Sequence, residues 1–168
     1  MSKVQGRDRL LQKLAAIPQY MRADISRAID AGAADIVATQ KRLAPKKSGA
    51  LANSIKAVKG GYTPENSNVR GVSASGSLGD PELTVTIVAG DAKAWYARLV
   101  EFGTAPHKIR ATRPGGLLNV SGRLIKEVSH PGGDAKPFFY PGFRANKKRV
   151  RARISRAISR TVKKYAGT

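Results

Sequence analysis

The last stretch of the chain leaves the fewest folds open. Between Arg144 and Lys164 ten residues are Lys or Arg and none is acidic, yet Val150, Ile154 and Ile158 recur among them every four positions. A strand would throw successive side chains to opposite faces and mix these two classes. A helix gathers the apolar residues into one stripe. The spacing therefore predicts a final helix from about Pro141 to Tyr165, burying Val150, Ile154, Ile158, Thr161 or Val162, and Tyr165.

Such a stripe needs other elements to cover it. Met21, Ile25, Ile29, Gly32, Ile36 and Leu43 keep a spacing near 3.6 and predict a helix over 19–43, ended by Ala44-Pro45. Before it, Leu10, Leu11, Leu14 and Ile17 predict a short helix that Pro18 interrupts. Ser48-Gly49 reads as a turn, Leu51 and Ile55 as core anchors, and 54–59 as a strand. Residues 60–81 are rich in Gly, Ser, Asn and Pro and read as a flexible loop or hairpin insertion. Leu83, Val85, Ile87 and Ala89 alternate with Thr84, Thr86 and Val88, the pattern of a half-buried strand. A helix around Trp95 to Phe102 follows, then short strands at 107–111 and 117–120 about an Arg-Pro-Gly-Gly turn. The expected class is α+β: one domain over 1–168, with N-terminal helices and a long C-terminal helix packed on a small, mainly antiparallel sheet.

Charge narrows the partners. Thirty-one Lys and Arg against eleven Asp and Glu give +20, an excess that must be solvated or met by an anionic partner. Nucleic acid, an anionic membrane and an acidic protein surface all satisfy it. The basic surface is assigned to Arg144, Lys147, Lys148, Arg149, Arg151, Arg153, Arg156, Arg160, Lys163 and Lys164. No zinc-finger spacing, ribonucleoprotein aromatic motif or helix-turn-helix accompanies it, so any nucleic-acid contact is expected to be sequence-nonspecific. The longest apolar runs are too short for a bilayer, and the charged start lacks a secretory pattern; no membrane partner and synthesis in the cytoplasm are expected.

Catalysis finds little support. Without cysteine there is no disulfide, thiolate zinc site or cysteine nucleophile. His107 and His130 sit in Gly- and Pro-rich surroundings, and Asp134 four residues after His130 has no paired nucleophile. The glycines match neither the phosphate-loop nor the dinucleotide pattern. No enzyme, cofactor or metal is expected.

Three segments taken in order resemble a family. Ala44 to Ile55, APKKSGALANSI, is followed by Tyr96 to Thr104, YARLVEFGT, and then by His130 to Phe143, HPGGDAKPFFYPGF. Together they resemble the small neck and tail-completion (minor tail) proteins of long-tailed bacteriophages, the HK-ninety-seven gene-ten-like or lambda Z-like group, over about 44–165. The resemblance implies a structural virion protein at the head–tail interface. It implies a hexameric ring touching head-completion or stopper, tail-terminator and tail-tube proteins, with nonspecific contact to packaged DNA, and no catalytic residues. Its motif residues, expected at interfaces or in structural contacts, are Tyr96, Glu101, Phe102, Gly103, Thr104, His130, Pro131, Gly132, Pro137, Phe138 and Phe139. Tyr96, Leu99, Val100 and Phe102 are expected to pack, Gly103 to break the helix, and Glu101 to make a fixed polar contact such as a salt bridge to arginine. A sequence-nonspecific nucleic-acid-binding protein using the basic helix is the alternative.

Overall fold

A computed structural model describes residues 19–63, 79–113 and 115–165. The short helix expected around Leu10 to Ile17, Pro18 itself, and most of the 60–81 loop lie outside the described residues, as does the Tyr165 side chain. The architecture is α+β. Helix α1 spans Gln19–Leu43 and α2 Ala50–Ser54; β1 (Lys56–Lys59) pairs antiparallel with β2 (Val85–Val88). Helix α3 (Ala97–Phe102) leads to β3 (His107–Arg110), β4 (Leu118–Val120), β5 (Arg123–Ile125) and β6 (Glu127–His130). The chain then forms α4, Phe139–Tyr165.

The two long helices run side by side. Gly32 makes this possible: a Cβ there would stand 2.6 Å from Val150 Cγ1, so only glycine admits the α4 side chain. Gly142 does the same near the start of α4, where a Cβ would lie 2.5 Å from Gln40 Cγ. Polar groups lock the pairing. Asn146 donates to Thr39 Oγ1 at 2.8 Å, Gln40 Nε2 donates to the Phe139 carbonyl at 2.9 Å, and Arg153 reaches Asp35 at 2.6 Å. Ile25, Ala33 and Ile36 of α1 and Ala157 and Thr161 of α4 are buried.

The stripe is partly shifted from the expected one. Of the two alternatives Thr161 and Val162, Thr161 is the buried one; Ile158, expected inside, is exposed, while Asn146 and Ala157 are buried. The small residues sit inside because the two helix backbones approach closely at Gly32 and Gly142. On α1, Leu43 is exposed and Ala44 takes the inward place. Helix α4 also begins at Phe139, before Pro141, because proline is tolerated in a first turn that needs no donor from it.

The second core gathers under the short elements: Ala44, Leu51, Ile55, Ala94, Ala97 and Phe138, with Tyr96, Val100 and Phe139 against it. Leu51 and Ile55 are buried, as their spacing predicts. Gly49, at φ 76°, opens α2, and the helix carries Ser54; the strand expected from Ser54 starts at Lys56 instead. Ser54 Oγ donates to the Leu51 carbonyl and accepts from Gly90 N–H, tying α2 to the end of β2. The strand expected over 83–89 is shorter. Asp80 caps a 3-10 turn at Pro81–Leu83, and β2 is half-buried at every position rather than alternating.

Strands β3 to β6 form a nested hairpin, β4 with β5 inside β3 with β6. Ser121 and Gly122, both at positive φ, turn the chain between β4 and β5, the combination a type I′ turn requires. Most of its side chains are exposed. The sequence pattern marks β3 and β4 and leaves β5 and β6 unpredicted.

Candidate functional site

The central and third sequence segments, about thirty residues apart, fold into one junction. Asp91 Oδ1 accepts from Lys93 and Ala94 N–H and turns the chain into α3. At the far end of α3, Gly103 takes φ 70°, and a Cβ there would meet the Gly133 carbonyl at 2.7 Å. Thr104 and Gly133 exchange backbone hydrogen bonds of 2.9 and 3.0 Å. Lys136 N–H then donates to the Val100 carbonyl at 2.8 Å. A Cβ on Gly132 would run into the Thr104 carbonyl, so two glycines let the two segments close on each other.

Glu101 lies at the centre, 6% exposed. One carboxylate oxygen accepts from Phe138 N–H at 2.7 Å and Phe139 N–H at 2.8 Å; the other accepts from Tyr140 N–H at 3.0 Å. A helix leaves its first N–H groups without partners and concentrates positive dipole there. At the start of α4 three donors, from Phe138 just before it and from Phe139 and Tyr140, go to one glutamate, Pro141 has none to offer, and Gly142 N–H bonds the Phe138 carbonyl. The expected fixed polar contact is present, but its partners are backbone N–H groups at the entry to α4, not an arginine. No charge pattern could have revealed it, since the donors carry no side-chain signature.

The other motif residues divide. Phe138 is 1% exposed, and Tyr96, Val100 and Phe139 pack against the core. Leu99 and Phe102, expected to pack, are exposed at 44% and 61%. Phe102 instead meets Tyr140 across the junction, ring centroids 6.0 Å apart. Pro131 and Pro137 are exposed. His130 stands opposite His107 in the β3–β6 register, their rings stacked 5.0 Å apart. His130 Nδ1 accepts from Gly132 N–H, a hydrogen-bonded loop-edge histidine.

The sequence was expected to hold no Glu-x-x-His pair, yet Glu127 and His130 have that spacing. They sit on a strand, where residues three apart face opposite sides. Glu127 is engaged elsewhere, by Lys108 and Arg110 at 2.5 Å each. The bond to Lys108 and then that to Arg110 hold its carboxyl below the ordinary value; Glu127 in turn raises Lys108. No group of three or more His, Asp or Glu that could hold a metal occurs among the described residues.

The basic residues of α4 also split. Arg149 and Arg153 face Asp35 on α1, and Arg149 also bonds Asn146. Arg153, Arg156, Arg160 and Lys163 line a shallow basic depression of about 490 Å³ together with Ser159. A second groove of about 340 Å³ has a different character. Ile36 and the α4 residues Phe143, Val150, Ile154 and Ile158 form its floor, with Lys147 and Arg151 beside them. The rotation of about 100° per residue puts these two surfaces on opposite flanks of α4. No described helix is long and apolar enough to cross a membrane.

A sequence model of the family described as "Bacteriophage HK97-gp10, putative tail-component" matches residues 8–103. The match runs through α1, the β1–β2 pair and α3 to Gly103, the helix break of the junction, and covers the first of the three resembling segments and the second up to Gly103. No curated protein and no solved structure matches the chain.

Proposed function

The chain belongs to the bacteriophage HK97-gp10 tail-component family, and on that footing we propose that it is a non-enzymatic structural protein of the virion neck. It completes or terminates the tail and joins it to the DNA-filled head as a hexameric ring, after synthesis in the bacterial cytoplasm. The observation that carries this reading is the family match through the Glu-Phe-Gly motif. The junction supports it physically. A scaffold that must hold its place under load gains from a long helix anchored by backbone hydrogen bonds to a buried carboxylate.

A ring uses one face of each subunit against a different face of the next. The exposed aromatics Trp95, Phe102 and Tyr140 are suited to such contacts. Neighbouring stopper, terminator and tube proteins are the expected partners. The all-basic flank of α4 favours a second contact, to the backbone of packaged DNA, since phosphate binding needs cations and no base-reading motif.

Electron microscopy of particles from cells infected with a phage lacking this gene tests the proposal. DNA-filled heads beside separate, full-length tails, with infectivity restored by added protein, are expected. Normally joined, infectious particles would reject the joining role. Salt-sensitive duplex binding by a stable monomer would then bring the nucleic-acid reading forward.

A further inference from the structure

The apolar flank of α4 has a use that DNA cannot supply. Phe143 and Ile158 are 39% and 38% exposed, and with Val150 and Ile154 they floor one continuous groove against Ile36. These four α4 side chains fall within about 80° of one another around the helix, so they form a single stripe. From Phe143 to Ile158 the groove follows about 22 Å of helix, roughly four turns. Lys147 and Arg151 line the same groove. Apolar side chains left at a surface in a continuous row mark an interaction site more often than single exposed residues do.

The lining specifies the occupant. Nucleic acid would meet the two cations and leave the apolar floor in water. A second copy of this chain meets the floor but not the cations. Its net charge is +20, so its surface as a whole repels them. Two long helices lying side by side offer a groove that fits a third helix, with anchors at three- and four-residue spacing. We infer that this flank of α4 is the docking groove for an amphipathic helix of another virion protein, one whose apolar stripe is bordered by carboxylates that face Lys147 and Arg151. The inference rests on the virion reading above and adds to it the chemistry of a partner.

Photo-cross-linking in assembled particles tests it. A photoreactive phenylalanine derivative replaces Ile158 in the groove or, as a control, Arg156 on the opposite flank. Purified particles are irradiated and the adducts mapped to peptides. The Ile158 probe is expected to label one segment of a different protein, with apolar residues every three or four positions and Asp or Glu beside them. The Arg156 probe should not label that segment, and K147E/R151E should cut the Ile158 adduct by about tenfold. Adducts to another copy of this chain, to DNA or to a segment without carboxylates would overturn the inference. So would no adduct in particles that contain the protein, or an adduct indifferent to the charge reversal. Particles that lack the protein altogether would overturn the virion reading, and the inference with it.

Discussion

Glu101 in the junction and Glu127 in the hairpin put the same side chain to opposite uses. Glu127 has two cationic partners at 2.5 Å, yet it sits on an arm whose side chains are mostly in water. Glu101 makes no ion pair among the described residues, is almost wholly buried, and takes three backbone N–H donors. Water competes well with exposed ion pairs, which add little to stability. It has little access to the buried Glu101, where losing the acceptor would strand several donors at once. The acid without a cation therefore holds the fold, and the acid with two trims a surface.

The contrast is sharpest beside Glu101, where Phe138 is 1% exposed and belongs to the second core. Phe138→Ala should cost about 3–5 kcal/mol of unfolding free energy in a denaturant titration. A change below about 1 kcal/mol would mean the junction is not core at all. Glu101→Gln comes next, at about 2–4 kcal/mol: the amide keeps one acceptor and turns two N–H donors toward donors. Amide exchange at 138–140 should speed up together with this loss. Stability and ring assembly both unchanged would break the contrast. Gly103→Ala should cost about 1–3 kcal/mol, since alanine must hold φ 70° and its Cβ must displace the Gly133 carbonyl.

The same contrast explains what could be read in advance. Helix α1 ends where Pro45 requires, and Leu51 and Ile55 are core, because periodicity and proline act locally. The displacement of Ile158 to the surface was not legible. Which side of an apolar stripe turns inward depends on Gly32 and Gly142 meeting their neighbours across the helix pair, a distance no single-helix pattern contains. The junction was half legible. Glu101, Gly103 and the Pro-Phe-Phe segment stand out as motifs, but the bonds joining them link a side chain to backbone N–H groups 37 to 39 positions away. Strands β5 and β6 carry too few apolar residues to announce themselves; their register follows from the Ser121-Gly122 turn.

The smallest effect belongs to Glu127, and its pH dependence has a definite sign. Hydrogen bonding to Lys108 and then to Arg110 depresses its folded value, so the hairpin's gain is present above the ordinary glutamate range and disappears as pH falls through the depressed value. Lys108 is raised, so its share is complete below the ordinary lysine value of 10.5 and is lost only as pH climbs through the higher one. Between those limits the ion pairs are fully formed and stability from this source is flat. An NMR titration should place the Glu127 carboxyl midpoint below that of a free glutamate, and K108M should move it back upward. At neutral pH Glu127→Gln should leave the denaturation midpoint where it is, because the groups concerned are solvent-exposed. A loss matching that of Glu101→Gln would show that the hairpin is anchored as firmly as the junction, and the distinction between the two glutamates would fall.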